Sequence, residues 1–436
     1  MIKVDIKDLA PHTLFAIVLF SLIFLCLVSP LEYLYYSNSI FLLVLACLIF
    51  WASSFSVTTL LQSKPSQNRF EKKFSVLSPR VYRLINICIF FASLGVFLRF
   101  LDFFFLRGYD FSQGLVSLRL SLQSLTYSET SDLQKAGSIS ALGAVLFGFT
   151  YPLAVLVLTF GQNLSSKKRY FSYFLISTPI IESGLVAGIM GAVFTVLYIF
   201  FSLSYRWKLK NNYFDFRKLS IILFSVFIVF AYGAFSFISR IDQMFSIFSV
   251  YFESSTSLVL PNDWLMSKIE NSYFSTLAFF IFWFSSYVLQ GPVEFAYLVD
   301  NFNGDNFTFG AKQFFVVDKF LGILGVTSFD AFSITEINPR PGRYQTVFGD
   351  VFIDFGLVGI LFQAFIFGAL SAITYVYRRR GFLWALVLYP FFQASIVSGF
   401  LINSFSGARF YFFVGALLLI VVYFLSDNRS RLSFGG

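Results

Sequence analysis

Of the chain's 436 residues, 57% are hydrophobic and 13% charged, against roughly 45–50% apolar and 25% charged in soluble domains, and this balance argues against a water-soluble fold. The formal charge of +9 resides in short Lys/Arg clusters beside apolar runs, which is the pattern of cytoplasmic retention and not of a nucleic-acid surface. Cys26, Cys47 and Cys88 all lie inside apolar runs, so they are expected to be small buried hydrophobes and not a disulfide framework.

In lipid only a helix or a closed barrel satisfies its own backbone, and a helix needs about 20 apolar residues to cross. Lys3 and Lys7 precede the run Leu14 to Val28 with no small-residue cleavage site, which predicts a retained first span and an inside N-terminus. In chain order the predicted spans are approximately 12–29, 39–57, 84–106, 138–160, 171–182, 184–204, 219–238, 351–375, 382–402 and 408–425. The segments between alternate ends are strongly basic: Gln62 to Arg83, Lys167 to Arg169, Arg206 to Lys218, and Arg378 to Arg380. The positive-inside rule places them in the cytoplasm together with both termini. The chain therefore reads as a single integral membrane domain over 1–436, an all-α polytopic transmembrane bundle of about 10 spans.

Two stretches depart from regular crossings. In 171–204 two crossings share a short apolar length, which predicts one short or re-entrant arm with Glu182 at the turn. Residues 107–137 and 239–349 lie outside, and the second is far longer than ordinary connections, as ordered functional loops are. Its apolar run Phe274 to Leu289 spans only if another crossing restores the parity that Arg378 to Arg380 require, giving 12 spans as the alternative. After Gly291-Pro292, the stripe Phe295, Leu298, Val299 and Phe302 predicts an interfacial helix lying on the outer leaflet, with Glu294, Tyr297 and Asn301 facing elsewhere. No internal repeat of the kind that builds many transporters is visible.

The one histidine, His12, sits at the inner end of the first span. The sequence offers no zinc-type constellation, no phosphate loop and no dinucleotide fingerprint, so neither a metal nor a cofactor is expected. Arginines beside apolar segments on the outer side are Arg99, Arg107, Arg119, Arg240, Arg340, Arg343 and Arg409. A guanidinium stays ionised when partly desolvated and offers a planar fork to phosphate, while headgroup snorkelling and structural ion pairs compete for the same residues. Asp102, three residues after Arg99, favours an ion pair there. Arg240 ends the seventh span, and Arg340, Arg343 and Tyr344 lie in Asn338-Pro339-Arg340-Pro341-Gly342-Arg343-Tyr344 just before the eighth, where the prolines restrict the backbone. Asp350 and Asp354 read as caps of the eighth span. Glu182, Glu294 and Glu336 have no such explanation and are candidates for a general base.

Residues Tyr287 to Gly310, with Gly291-Pro292 and Asp300, followed by Thr346-Val347-Phe348-Gly349 and Asp354-Phe355-Gly356-Leu357-Val358-Gly359, resemble the Wzy-type O-antigen polymerases, the oligosaccharide repeat-unit polymerases of bacterial envelopes. The resemblance implies a metal-independent glycosyltransferase of the bacterial inner membrane. It would join undecaprenyl-pyrophosphate-linked oligosaccharides at the periplasmic face during lipopolysaccharide or other surface-polysaccharide synthesis. It further implies that arginines grip the pyrophosphate, from the set Arg107, Arg119, Arg240, Arg340, Arg343 and Arg409 with Tyr344 beside them, while Glu294 or Glu336 accepts a proton. Membrane lipids, a chain-length regulator and a flippase are the implied partners. Two features depart from the family: no outer arginine named here has a glycine eleven residues later, and the outer histidine of the related ligases is missing. A lipid-linked oligosaccharide flippase or another polytopic transporter is the competing reading.

Overall fold

The computed structural model describes residues 9–62, 78–106, 137–185, 189–209, 258–271, 273–304, 307–314, 337–340, 346–405 and 410–432. Within them the chain is mostly helical. Its helices are α1 (Pro11–Val28), α2 (Ile40–Gln62), α3 (Pro79–Leu101), α4 (Gly137–Phe147), α5 (Thr150–Phe160), α6 (Ser166–Leu185), α7 (Ile189–Leu209), α8 (Asp263–Asn271), α9 (Ser275–Asn301), α10 (Gly349–Arg379), α11 (Leu383–Ser398) and α12 (Phe410–Leu432). Strands β1 (Leu31–Tyr33) and β2 (Val259–Pro261) pair antiparallel, Glu32 opposite Leu260. Among the described residues five segments are long and apolar enough to cross a membrane: α1, α2, α3 with the π-helical turn that follows it, 142–163, and α10. This is an α-helical membrane protein.

Local chemistry sets several boundaries. Ser78 caps α3, its hydroxyl accepting from the Val81 N–H at 3.3 Å with Pro79 in the first turn, where a missing N–H costs nothing. Asn262 caps α8 in the same way, accepting from the Leu265 N–H at 3.0 Å. Over the crowded pair 171–204 the helices extend beyond the apolar stretch, although neither is long and apolar enough to count among the five candidate spans. The basic flanks Lys167 to Arg169 and Arg206 to Lys208 are themselves helical, so α6 and α7 run 20 and 21 residues. The predicted span 219–238 lies outside the described residues.

One buried core runs through most of the bundle. With lipid tails as apolar as leucine, helix pairs in a membrane gain by close backbone approach through small residues. The α2–α10 crossing shows this: a Cβ on Gly368 would come within 2.1 Å of Ser53 Oγ and 2.5 Å of the Phe50 carbonyl oxygen. At one end of the bundle Arg380 donates to the Leu61 carbonyl and Lys168 to Asn86 Oδ1. We call this the basic end.

At the opposite end lies the β1–β2 ladder, and α9 packs along it. Ala278, Phe282 and Leu289 join Leu31, Val259 and Leu265 in a separate buried cluster. The stripe expected to lie on the outer leaflet does not. Phe295 and Leu298 are 0% and 1% exposed and belong to the main core, with Val299 and Phe302 packed against it. The helical period identified a coherent face but carried no information on what covers it.

Candidate functional site

Six segments meet at the end opposite the basic one: the link after β1, the second half of α9, and residues 307–314, 337–340, 346–356 and 399–405. The chain approaches itself closely there. A Cβ on Gly291 would lie 2.0 Å from the Phe400 carbonyl oxygen, so α9 can pass under the 399–405 turn only with glycine at that position. Pro292 follows within the helix, and Glu294, Tyr297 and Asn301 rise one helical turn apart beyond it.

Glu294 and Arg340 form a buried ion pair. Arg340 Nη2 donates to Oε1 at 3.1 Å, and Nε lies 2.8 Å from Oε2, with side chains 12% and 4% exposed for arginine and glutamate. The Nε–H is not directed along a hydrogen bond to that oxygen, so Nη2 makes the directed bond and Nε contributes through charge. The guanidinium also lies over the Tyr297 ring, 5.3 Å from its centroid, an arrangement that stabilises a desolvated cation. Asn338 Oδ1 accepts from the Arg340 backbone N–H at 3.1 Å, holding the turn that presents the arginine.

The tyrosine ring links this pair to a second acidic group. Tyr35, in the link between β1 and α2, meets Tyr297 edge to face at 5.1 Å. Its hydroxyl and that of Ser39 both donate to the Asp300 carboxylate. Burial by itself would raise the pKa of Asp300, but the hydroxyls of Ser37, Ser39 and Tyr35 outweigh it and hold this carboxyl below its ordinary range. Asp300 is thus an ionised, surface-exposed anchor between α9 and the 35–39 link.

Asp354 does not cap the helix in which it sits. It is fully buried, and its carboxylate accepts from the Lys312 N–H at 2.9 Å, the Gln313 N–H at 2.7 Å and the Thr308 hydroxyl. It therefore terminates the 308–314 turn, a role that corrects its assignment as a cap of α10. Two residues on, Gly356 breaks the helix at φ 60°, ψ −148°, a region essentially confined to glycine, with the Phe307 ring against it. Asp350 keeps a first-turn position and accepts from Asn403 Nδ2 at 3.1 Å, and the same amide donates to Gln313 Oε1 at 2.8 Å. These bonds tie the 308–314 and 399–405 turns to the start of α10.

Near the same end, Arg99 is ion-paired as its neighbour Asp102 predicted, but its nearer partner is Glu182. Nε donates to Oε1 at 3.0 Å, while Asp102 Oδ2 is 3.8 Å from Nη1. Asp102 opens the π-helical turn Asp102–Leu106 and Glu182 lies in the last turns of α6. The contact ties α3 to α6 and leaves Glu182 paired. His12 packs edge-on to Phe55, towards the basic end.

Of the sequence-derived candidates, the fold brings Glu294 and Arg340 into one pair. Glu336, Arg107, Arg119, Arg240, Arg343, Tyr344 and Arg409 lie outside the described residues. Tyr35, Ser39, Tyr297 and Asp300 were not singled out as site residues. Tyr297 was legible as part of a polar face with Glu294 on α9; the 35–39 link carries no sequence signal, since its role comes only from the fold placing it beside Asp300. Comparison with protein families, curated proteins and solved structures finds no match for this chain.

Proposed function

We propose that the chain is a polymerase of the bacterial inner membrane that joins undecaprenyl-pyrophosphate-linked oligosaccharide repeat units at the periplasmic face. The carrying observation is the Arg340 guanidinium, held by Glu294 and Tyr297. The basic end is then cytoplasmic by the positive-inside rule, with both termini there, and the Arg340 end faces the periplasm. Modification of a Lys312→Cys variant by an impermeant thiol reagent added from the periplasmic side checks this orientation; reaction only after the cytoplasmic face is opened would reverse it.

In the proposed reaction the acceptor hydroxyl oxygen attacks the anomeric carbon of the growing glycan. The bond from that carbon to pyrophosphate oxygen breaks, undecaprenyl pyrophosphate leaves with the bonding electrons, and the hydroxyl proton passes to a carboxylate. Arg340, with Arg240 and Arg343, neutralises the charge developing on the leaving group. Both Glu294 oxygens already face Arg340, which suits orienting the guanidinium, so Glu336 is assigned as the base.

Purified protein supplied with lipid-linked repeat units is expected to form a ladder of polymer without nucleotide triphosphate, and chelation is expected to leave the ladder intact. A requirement restored by one particular cation would overturn the mechanism. The break in α10 at Gly356 beside buried Asp354 favours a second reading, a transporter, because discontinuous helices line many transport paths. Movement of fluorescent lipid-linked oligosaccharide across proteoliposomes, with no polymer formed, would decide for it.

A further inference from the structure

The first half of α9 is apolar on two sides. One side, Ala278, Phe282 and Leu289, is buried against the β1–β2 ladder and α8, with Leu22 and Cys26 of α1 packed against the same cluster. The other is left open: Phe274, Leu277, Ile281 and Phe284 recur at helical spacing, with Phe274 64% and Leu277 54% exposed. A contiguous apolar stripe of this kind marks a surface that something else covers. The preceding helix differs. On α8, Leu265 is buried while Asp263, Ser267, Lys268 and Glu270 are exposed, a face suited to water or lipid headgroups. Trp264 in the first turn of α8 is 60% exposed, and Tyr273, between the two helices, is 99% exposed. Aromatic residues with a polar edge concentrate at the boundary between headgroups and acyl chains.

We infer that the α8–α9 hairpin is a membrane-interface element, with the 274/277/281/284 stripe of α9 seated in the acyl region of the bilayer and α8 at headgroup level. The occupant is lipid and not a second copy of the chain, because the neighbouring helix α1 is long and apolar enough to cross a membrane and exposes large apolar residues of its own. Phe20, Phe24, Leu27 and Val28 on α1 are exposed, and Leu22 and Cys26 of the same helix pack against the buried side of α9. The inference is independent of the reaction proposed above, but it sets the height at which that site works. The same helix carries Glu294, Tyr297 and Asp300 beyond Pro292, so the bilayer surface fixes the level of the Arg340 guanidinium.

The test uses full-length protein in phosphatidylcholine nanodiscs, with Cys26→Ser, Cys47→Ala and Cys88→Ala as background and an environment-sensitive fluorophore on Leu277→Cys, Ile281→Cys or Lys268→Cys. Lipids brominated on the acyl chain are expected to quench positions 277 and 281 several-fold more than 268, and aqueous iodide the reverse. Iodide quenching at 277 and 281 equal to that at 268 would overturn the inference. Protection from both quenchers would overturn it too, since protein would then cover the stripe. Wild-type protein with all cysteines retained provides a second measurement, in nanodiscs containing a photoreactive acyl-chain phosphatidylcholine. Cross-links mapped by mass spectrometry are expected on 273–284, and their absence would also count against the bilayer as occupant.

Discussion

Replacing Arg340 alone with methionine is expected to destabilise the protein more than replacing both Arg340 with methionine and Glu294 with glutamine. The single change leaves the Glu294 carboxylate, 4% exposed, without its main partner in a site that water scarcely reaches. Breaking a buried pair from one side typically costs about 3–5 kcal/mol, because an uncompensated charge remains. Changing both members to uncharged residues of similar size, Arg340→Met with Glu294→Gln, removes the charge together with its partner, and such exchanges are often close to neutral. Thermal unfolding in detergent of wild type, the two single variants and the double variant closes the cycle, and a coupling well above what exposed pairs show is expected. If the double variant is as unstable as the sum of the singles, the pair contributes no coupling and Arg340 is held by the loop around it. Activity separates the two roles: the double variant should fold and yet make no polymer.

How far the sequence carried this site depends on which physical rule each element obeys. Membrane spans were legible because lipid imposes one constraint on every residue of a crossing, and α1, α2 and α10, each long and apolar enough to cross, begin within two residues of the expected starts. Where the constraint weakens, the reading weakened with it. Helix continues into water wherever its residues favour it, so the basic flanks of α6 and α7 belong to those helices although no hydropathy marks them. Amphipathic spacing on α9 identified two faces, but whether a face meets lipid or core depends on the 346–352 and 399–405 segments packed beside it. The partner of Arg340 lies 46 residues away, and the partner of Arg99 lies 83 away. Nearest-neighbour reasoning chose Asp102 for Arg99 because only local spacing is visible in a sequence. Asp354 shows the same limit: a carboxylate near a helix start satisfies the capping rule, yet the 308–314 turn offered it three better-placed donors. Three-residue strands such as β1 and β2 leave no periodic signal at all, so the apolar run Phe274 to Leu289 was legible but the ladder it packs against was not.

The largest effect on turnover is expected from Arg240→Lys, Arg343→Lys and Arg340→Lys. In the sequence Arg240 follows the seventh expected span and Arg343 precedes the eighth, and Arg340, three residues before Arg343, is fixed by Glu294 and Asn338. Lysine keeps the charge at each position but not the planar pair of donors that matches two phosphate oxygens at once. A contact that strengthens as the leaving group gains charge contributes mainly to the transition state, so its loss is expected to cost about 2–4 kcal/mol, or roughly 10²–10³ in rate. Simple snorkelling to lipid predicts the opposite, since the lysine stem also reaches the interface and would substitute with little loss. For Arg340 a structural role alone predicts a lowered melting temperature with turnover falling only in proportion to the folded fraction, whereas a pyrophosphate contact predicts slow turnover by fully folded protein. Monodisperse variants with wild-type melting temperatures, assayed for polymer formation beside wild type, separate these outcomes. Near wild-type turnover in all three would remove the pyrophosphate clamp from the mechanism and leave Arg340 as the strut that holds the 337–340 turn onto α9.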